Sequence, residues 1–320
     1  MTYYTRIVGT GSFLPNQIIK NDDFPSSLQT SDEWIRTRTG IIRRHIASVD
    51  ASACDFATKA ALEALNAAKI DALDIDLIIL GTSTPEQILP STASMVQEQL
   101  GNTKAAAFDV QAACSGFIYG LSIADQFVRT GQHKRVLVIG VDIMSRLVDW
   151  SDRSTCVLFG DGAGAVVLEA SRMPGVLGSV LKSDGQYRHH LEVPGHINRG
   201  HIAGTPFLKM DGGVVFKFAV NALADASEEL LQKLDIDAET IDWVVPHQAN
   251  IRIIEAIASR LKLPMDKVAV TVQDHGNTSA ASIPLALDRY VKSNKIQPGQ
   301  RLLLVAIGSG FVWGSVLLDY

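Results

Sequence analysis

Apolar positions recur at helical spacing through Ala53–Ala68, Ser115–Arg129, Phe216–Leu234, Gln248–Leu261 and Ser279–Val291, and the pattern predicts a helix over each. Between them lie short, unbroken apolar runs at Leu77–Leu80, Ala106–Val110, Arg135–Gly140 and Trp243–Val245, the signature of strands covered on both faces. Ser52 stands where an N-cap for the first helix belongs. Strands alternating with helices predict an α/β protein with mainly parallel sheets. The longest uncharged run, Leu302–Leu318, contains Gly308, Ser309, Gly310 and Gly314. It is too short and too broken for a membrane span and reads as two buried strands joined by a turn.

The pattern repeats once. Ile70-Asp71-Ala72 followed by Ile75–Ile79 matches Ile236-Asp237-Ala238 followed by Ile241–Val245, an offset of 166 (236 − 70). Lys134–Ile139 matches Gln300–Val305 at the same offset (301 − 135). A duplicated chain is expected, with halves 1–170 and 171–320 packed tightly because no Pro- or Ser-rich linker separates them. Ligand sites in open α/β sheets lie beyond the carboxyl ends of strands. The offset sets Gly81 opposite His247, Gln111 opposite Asn277 and Cys114 opposite Ala280. Cys114, His247 and Asn277 are therefore expected to share one cleft.

Cys114 falls between a strand and a helix, where unpaired N–H groups and the helix dipole lower a thiol pKa. The competing reading is a small buried hydrophobe, which Cys54 and Cys156 keep. His247 and Asn277 each follow a strand-like or turn segment, as a neutral donor or base and as a donor to developing negative charge respectively. The other histidines read as surface or structural groups. His189, His190, His196 and His201 match no metal-ligand spacing, and no metal is expected. The Gly160–Ala165 and Gly9–Gly11 runs are followed by no helix, so neither is a phosphate loop. Exposed backbone N–H groups at Gly308-Ser309-Gly310 suit half of an oxyanion hole.

Composition narrows the class. Of 320 residues 47% are hydrophobic and 20% charged, with a net charge of −5. That supports a large core and argues against a nucleic-acid binder. Three scattered cysteines fit a reducing compartment. The N-terminal segment has no signal-peptide pattern. A cytoplasmic protein with no membrane contact is expected.

Taken together, Thr30–Ile35 with Thr37–Ile41, Ala112-Ala113-Cys114, Phe159–Ala165, Pro246–Asn250 and His275–Ala280 resemble the thiolase superfamily, and within it the β-ketoacyl-acyl-carrier-protein synthase III family. The resemblance implies a layered α-β-α-β-α duplicated fold with two mainly five-stranded mixed sheets. It implies a decarboxylating Claisen condensation of an acyl-CoA primer with malonyl-acyl-carrier protein that starts type II fatty-acid synthesis. Cys114 would carry the acyl group, and His247 and Asn277 would stabilise the enolate. The backbone N–H groups of Cys114 and Ser309 would hold the thioester oxyanion. CoA is a substrate, and no cofactor is implied. Trp34, Arg38 and Arg153 would contact CoA. Gln248, Ala249, Asn250, Ile251 and Arg252, with Lys217 and Arg260, would meet the carrier protein. Leu89 would wall the acyl pocket of a partner subunit in a homodimer, where relatives often place an aromatic. Ser309 replaces the middle glycine of the family's turn, an unfavourable exchange if φ there is positive. Two other readings remain open at this stage: a paralogue priming a polyketide or quinolone, and a thioester hydrolase using Cys114 and His247.

Overall fold

The computed structural model describes residues 3–320; Met1 and Thr2, at the start of the N-terminal segment read above, lie outside the described residues. The first sheet is built from β1 (Tyr4–Phe13), β2 (Leu77–Gly81), β3 (Ala106–Val110), β4 (Arg135–Ile143) and β5 (Asp161–Ser171), in the order β1-β5-β4-β2-β3. The second comprises β6 (Val176–Ser183), β7 (Trp243–Pro246), β8 (Arg301–Gly308) and β9 (Val312–Asp319), in the order β7-β8-β9-β6. In each sheet two antiparallel pairings lead to parallel ones: β4 with β2 and β2 with β3 in the first, β8 with β7 in the second. The two orders correspond strand for strand.

The resemblance implies five strands in the second sheet, and four form. The fifth place is held by Val268–Val270, which makes one parallel bridge at Val244. The reason is local. Gln248 Oε1 accepts the N–H groups of Thr271 and Val272, and its Nε2 donates to the Ala269 carbonyl. A side chain thus takes up backbone groups that a longer ladder would need.

The helices that matter here are α1 (Asp32–Thr39), α2 (Ala53–Ala68), α3 (Thr92–Gln99), α4 (Gly116–Arg129), α5 (Gly212–Leu234), α6 (Ile251–Arg260) and α7 (Ser282–Lys292). Ser52 Oγ accepts the Asp55 N–H at 2.9 Å, the expected cap on α2; such a bond contributes about 1 kcal/mol. Helix α6 starts at Ile251 and not at Gln248, because Asn250 caps it and Gln248 is engaged elsewhere.

Alternation along the strands sets the layers. Leu77 and Ile79 face the central layer with α4 and α7, as do Leu302 and Leu304 of β8. Ile78 and Leu80 turn to α2 on one outer face, and Leu303 and Val305 turn to α5 and α6 on the other. The outcome is the α-β-α-β-α stack. Both α4 and α7 point their N-termini at the ends of parallel strands. Among the described residues no helix is long and apolar enough to cross a membrane.

Candidate active site

Equivalent turns deliver the candidate groups. Ala113–Ser115 is a 3-10 turn that opens α4, and Ser279–Ala281 is a 3-10 turn that opens α7. Ala113 and Ser279, 166 residues apart (279 − 113), both hold left-handed φ values, 46° and 51°. Non-glycine residues rarely adopt that conformation, and it clusters where a side chain must be aimed. Cys114, on the first turn, lines a cavity of about 560 Å³. His247, at the end of β7, and Asn277, ahead of the second turn, line the same cavity. All three are buried.

Their hydrogen bonds limit what each can present. Asn277 Oδ1 accepts the Ser279 N–H at 2.9 Å, which leaves the carboxamide NH₂ as the free donor. His247 Nδ1 lies 2.6 Å from Ser282 Oγ, and burial pushes the ring down to about 4, so it is neutral at physiological pH. The Cys114 thiol departs from its sequence expectation. Burial raises it to about 12; a hydrogen bond from Ser279 opposes the rise and the Asp142 charge adds to it. Helix position alone favours thiolate, but removal of solvent outweighs it here. At rest Cys114 is a thiol.

Ser309 also lines the cavity, and its hydroxyl donates to the Leu191 carbonyl. Its φ is not positive; the positive value, 133°, falls on Gly310, so serine is accommodated without the expected strain. Gly308 explains how this turn reaches Cys114: a Cβ there would lie 2.7 Å from the Cys114 backbone nitrogen. The Ser309 turn and the Cys114 turn are in backbone contact.

The CoA candidates also converge. The Arg38 and Arg153 guanidinium groups lie 4.6 and 5.2 Å from the Trp34 ring centroid. Asn250 joins this cluster to the cavity, since it lines the cavity and its Nδ2 donates to the Arg38 carbonyl at 3.0 Å. Leu89 is 82% exposed and does not line the cavity of its own chain.

Two segments of the chain, 108–185 and 231–320, match the family profiles described as 3-oxoacyl-[acyl-carrier-protein (ACP)] synthase III and its C-terminal part. The β-ketoacyl-[acyl-carrier-protein] synthase III of Neisseria gonorrhoeae is 55% identical over 318 residues, covering 99% of each chain. The chain belongs to the β-ketoacyl-acyl-carrier-protein synthase III family. The crystal structure of the Aquifex aeolicus 3-oxoacyl-[acyl-carrier-protein] synthase III superposes with a TM-score of 0.93 at 46% identity, covering 99% of this chain and 100% of that one. The priming β-ketosynthase of the R1128 polyketide pathway superposes with 0.92 at 35% identity, covering 99% and 97%. As a synthase III, the chain is an acyltransferase of fatty-acid synthesis.

Set against that family, some residues carried over from sequence do not sit as expected. Gln248 is fully buried with its amide spent on four internal bonds, two given and two accepted, so it is not available to a carrier protein. Arg260 is paired with Asp225 and Glu228 at 3.0 and 3.6 Å. Lys217 and Arg252 are exposed, the latter with its guanidinium 5.2 Å from the Phe216 ring. Ala249 and Asn250 line the cavity, and Ile251 packs beside Gly40. His189, His196 and His201 are exposed, and no group of three metal-ligating side chains occurs among the described residues.

Sequence reasoning missed two polar groups that hold the candidate site together. Ser282 is one. The other is Asp142 at the end of β4, which is buried. It accepts from Thr82 Oγ1, Ser83 N and Thr84 Oγ1 on the loop after β2, and from Ala280 N on the opposite turn. A strand-end acid reads as ordinary surface charge until the fold encloses it.

His275, beside the site, gives a stability prediction. It is buried, its Nδ1 has no hydrogen-bond partner among the described residues, and burial with help from Arg289 and His45 drives its pKa to about 3. Above pH 6.5 the ring is neutral folded or unfolded. As pH falls from 6.5 towards 3, only the unfolded chain takes up the proton, so stability declines. Unfolding free energy of the wild type relative to His275→Gln should be flat above pH 6.5 and then fall by up to about 1.4 kcal/mol per pH unit. Denaturant titrations across that range measure it, and parallel curves would refute it.

Proposed function

We propose that this synthase III joins an acetyl primer from acetyl-CoA to malonyl-acyl-carrier protein, with Cys114, His247 and Asn277 in the roles below. Cys114 Sγ attacks the thioester carbonyl. A carbon–sulfur bond forms to the enzyme, the bond to CoA breaks, and the thiol proton leaves with the departing sulfur as CoA–SH. Malonyl-carrier protein then enters and its carboxylate departs as carbon dioxide. The enolate oxygen is held by one imidazole N–H of His247 and by the Asn277 NH₂ group. Neutral donors in an enclosed site stabilise that charge without protonating the carbanion. The carbanion attacks the acyl-cysteine, the N–H groups of Cys114 and Ser309 hold the new oxyanion, and its collapse breaks the carbon–sulfur bond and expels the Cys114 thiolate, which takes a proton from water to return to the thiol.

The observation that carries this reading is the meeting of the three groups in one cavity, Cys114 and Asn277 from turns that correspond across the 166-residue offset and His247 from the end of β7. The Trp34–Arg38–Arg153 stack is suited to an adenine and its phosphates. Arg252 and Lys217, with Ala249, Asn250 and Ile251 at the mouth, suit an acidic carrier protein; Arg260 contributes less because acids already pair it. We assign the halves as 1–170 and 171–320. We further propose a cytoplasmic homodimer in which Leu89 closes the partner's pocket.

A panel of acyl-CoA primers with malonyl-carrier protein, read by product mass, tests the reading. A condensed product with acetyl-CoA preferred supports it. Preference for a longer or unusual primer favours the secondary-metabolite role, to which Leu89, standing where relatives often place an aromatic, and the polyketide relative both lend weight. Free acid without condensation would make the protein a hydrolase.

A further inference from the structure

Ser282 is the first residue of α7 and is buried. Its Oγ lies 2.6 Å from His247 Nδ1 and accepts the backbone N–H of Gln248 at 3.3 Å. A serine hydroxyl has one hydrogen to give and lone pairs to accept. If Nδ1 carried the imidazole proton, Oγ would receive two donors and its own hydrogen would have no acceptor among the described residues. A buried polar hydrogen left that way costs stability. With the hydroxyl hydrogen directed at Nδ1, the hydroxyl and Nδ1 are both paired, and the ring proton must sit on Nε2. That nitrogen makes no protein hydrogen bond among the described residues, and His247 lines the cavity.

The partner's neutrality matters as much as its position. A carboxylate against Nδ1 would favour the imidazolium. Here only burial shifts the ring, and it shifts it down. The chain's own duplication shows what the contact replaces. His247 and Ser282 correspond to Gly81 and Gly116 in the first half (247 − 166 and 282 − 166). Those glycines touch backbone to backbone, so that a Cβ on Gly81 would lie 2.6 Å from the Gly116 carbonyl carbon. At the same junction of strand end and helix start, one half closes with bare backbone and the other with a side-chain hydrogen bond.

We infer that Ser282 is a positioning residue whose hydroxyl fixes neutral His247 as the Nε2–H tautomer, so that the ring reaches the condensation step as a donor and not as a base. This deepens the role proposed for His247 and rests on it. Histidine-selective ¹⁵N labelling, with His247→Ala to assign the signal, reads the tautomer in the intact wild-type protein. A protonated, pyrrole-type Nε2 and an unprotonated Nδ1 are expected. A protonated Nδ1 overturns the inference, whatever His247 does in the reaction.

In Ser282→Ala the tautomer preference should relax and malonyl-carrier decarboxylation should fall roughly ten- to hundredfold, the loss seen when the partner that orients a metal-bound imidazole is removed. Acyl-enzyme formation should persist, and Ser282→Thr, which keeps the hydroxyl, should recover decarboxylation. Undiminished decarboxylation in a folded Ser282→Ala protein overturns the inference. Equal loss of both half-reactions with no recovery in Ser282→Thr also overturns it, because that marks a merely structural residue. Normal decarboxylation by His247→Ala would instead remove the underlying role of the histidine, an outcome separate from the tautomer measurement.

Discussion

Cys114→Ser is expected to form no acyl-enzyme: after incubation with acetyl-CoA, intact-protein mass should show the wild type gaining one acetyl group and the variant none. The expectation follows from the position of Sγ at the start of α4, where it lines the cavity, and from the chemistry of the step. Sulfur attacks a thioester and is displaced from it at comparable cost, whereas an unactivated serine hydroxyl is a far weaker nucleophile. The wild-type thiol is itself protonated at rest, so its advantage lies in how easily it loses the proton during attack. Condensation in the variant should drop by at least about a thousandfold, as for other lost nucleophiles. Cys54 and Cys156 are buried away from the cavity and carry thiols raised to about 11, so neither substitutes. An acyl adduct of wild-type yield in Cys114→Ser would remove the assignment.

His247→Ala and Asn277→Ala should separate the two half-reactions in the opposite sense. Both variants are expected to acquire the acetyl group and then to fail with malonyl-carrier protein. Each removes one donor aimed at the enolate oxygen, a loss that typically costs roughly a hundred- to a thousandfold in turnover. The structure motivates the split: the Asn277 oxygen is tied to the Ser279 amide, so its NH₂ group is the part left for substrate. Release of labelled carbon dioxide from malonyl-carrier protein measures the step directly. Normal release by either variant would strip that residue of its role. Wild-type release should show no imidazole ionisation between about pH 5.5 and 8, since the His247 value near 4 lies below that window.

Much of this arrangement is legible in the sequence because strand ends and helix starts are. A cysteine, a histidine and an asparagine at such junctions, linked by one internal offset, point to a shared cleft before any contact is known. What the sequence hides is burial. Position on α4 argues for a thiolate at Cys114, yet enclosure reverses the shift. Gln248 stands next to His247 in a segment that the family resemblance assigns to a docking face, but its amide satisfies the backbone where a fifth strand stops. Ser282 falls at ordinary helical spacing and carries no signal until its hydroxyl is seen against the imidazole. Asp142 is silent for the same reason. Polar residues that serve other polar residues leave no periodicity.

The thiol raised by burial has a consequence outside the catalytic cycle. Peroxide and small electrophiles react with thiolates, and a sulfur that keeps its proton at neutral pH offers them little. The nucleophile should therefore survive aerobic stress in its reduced form.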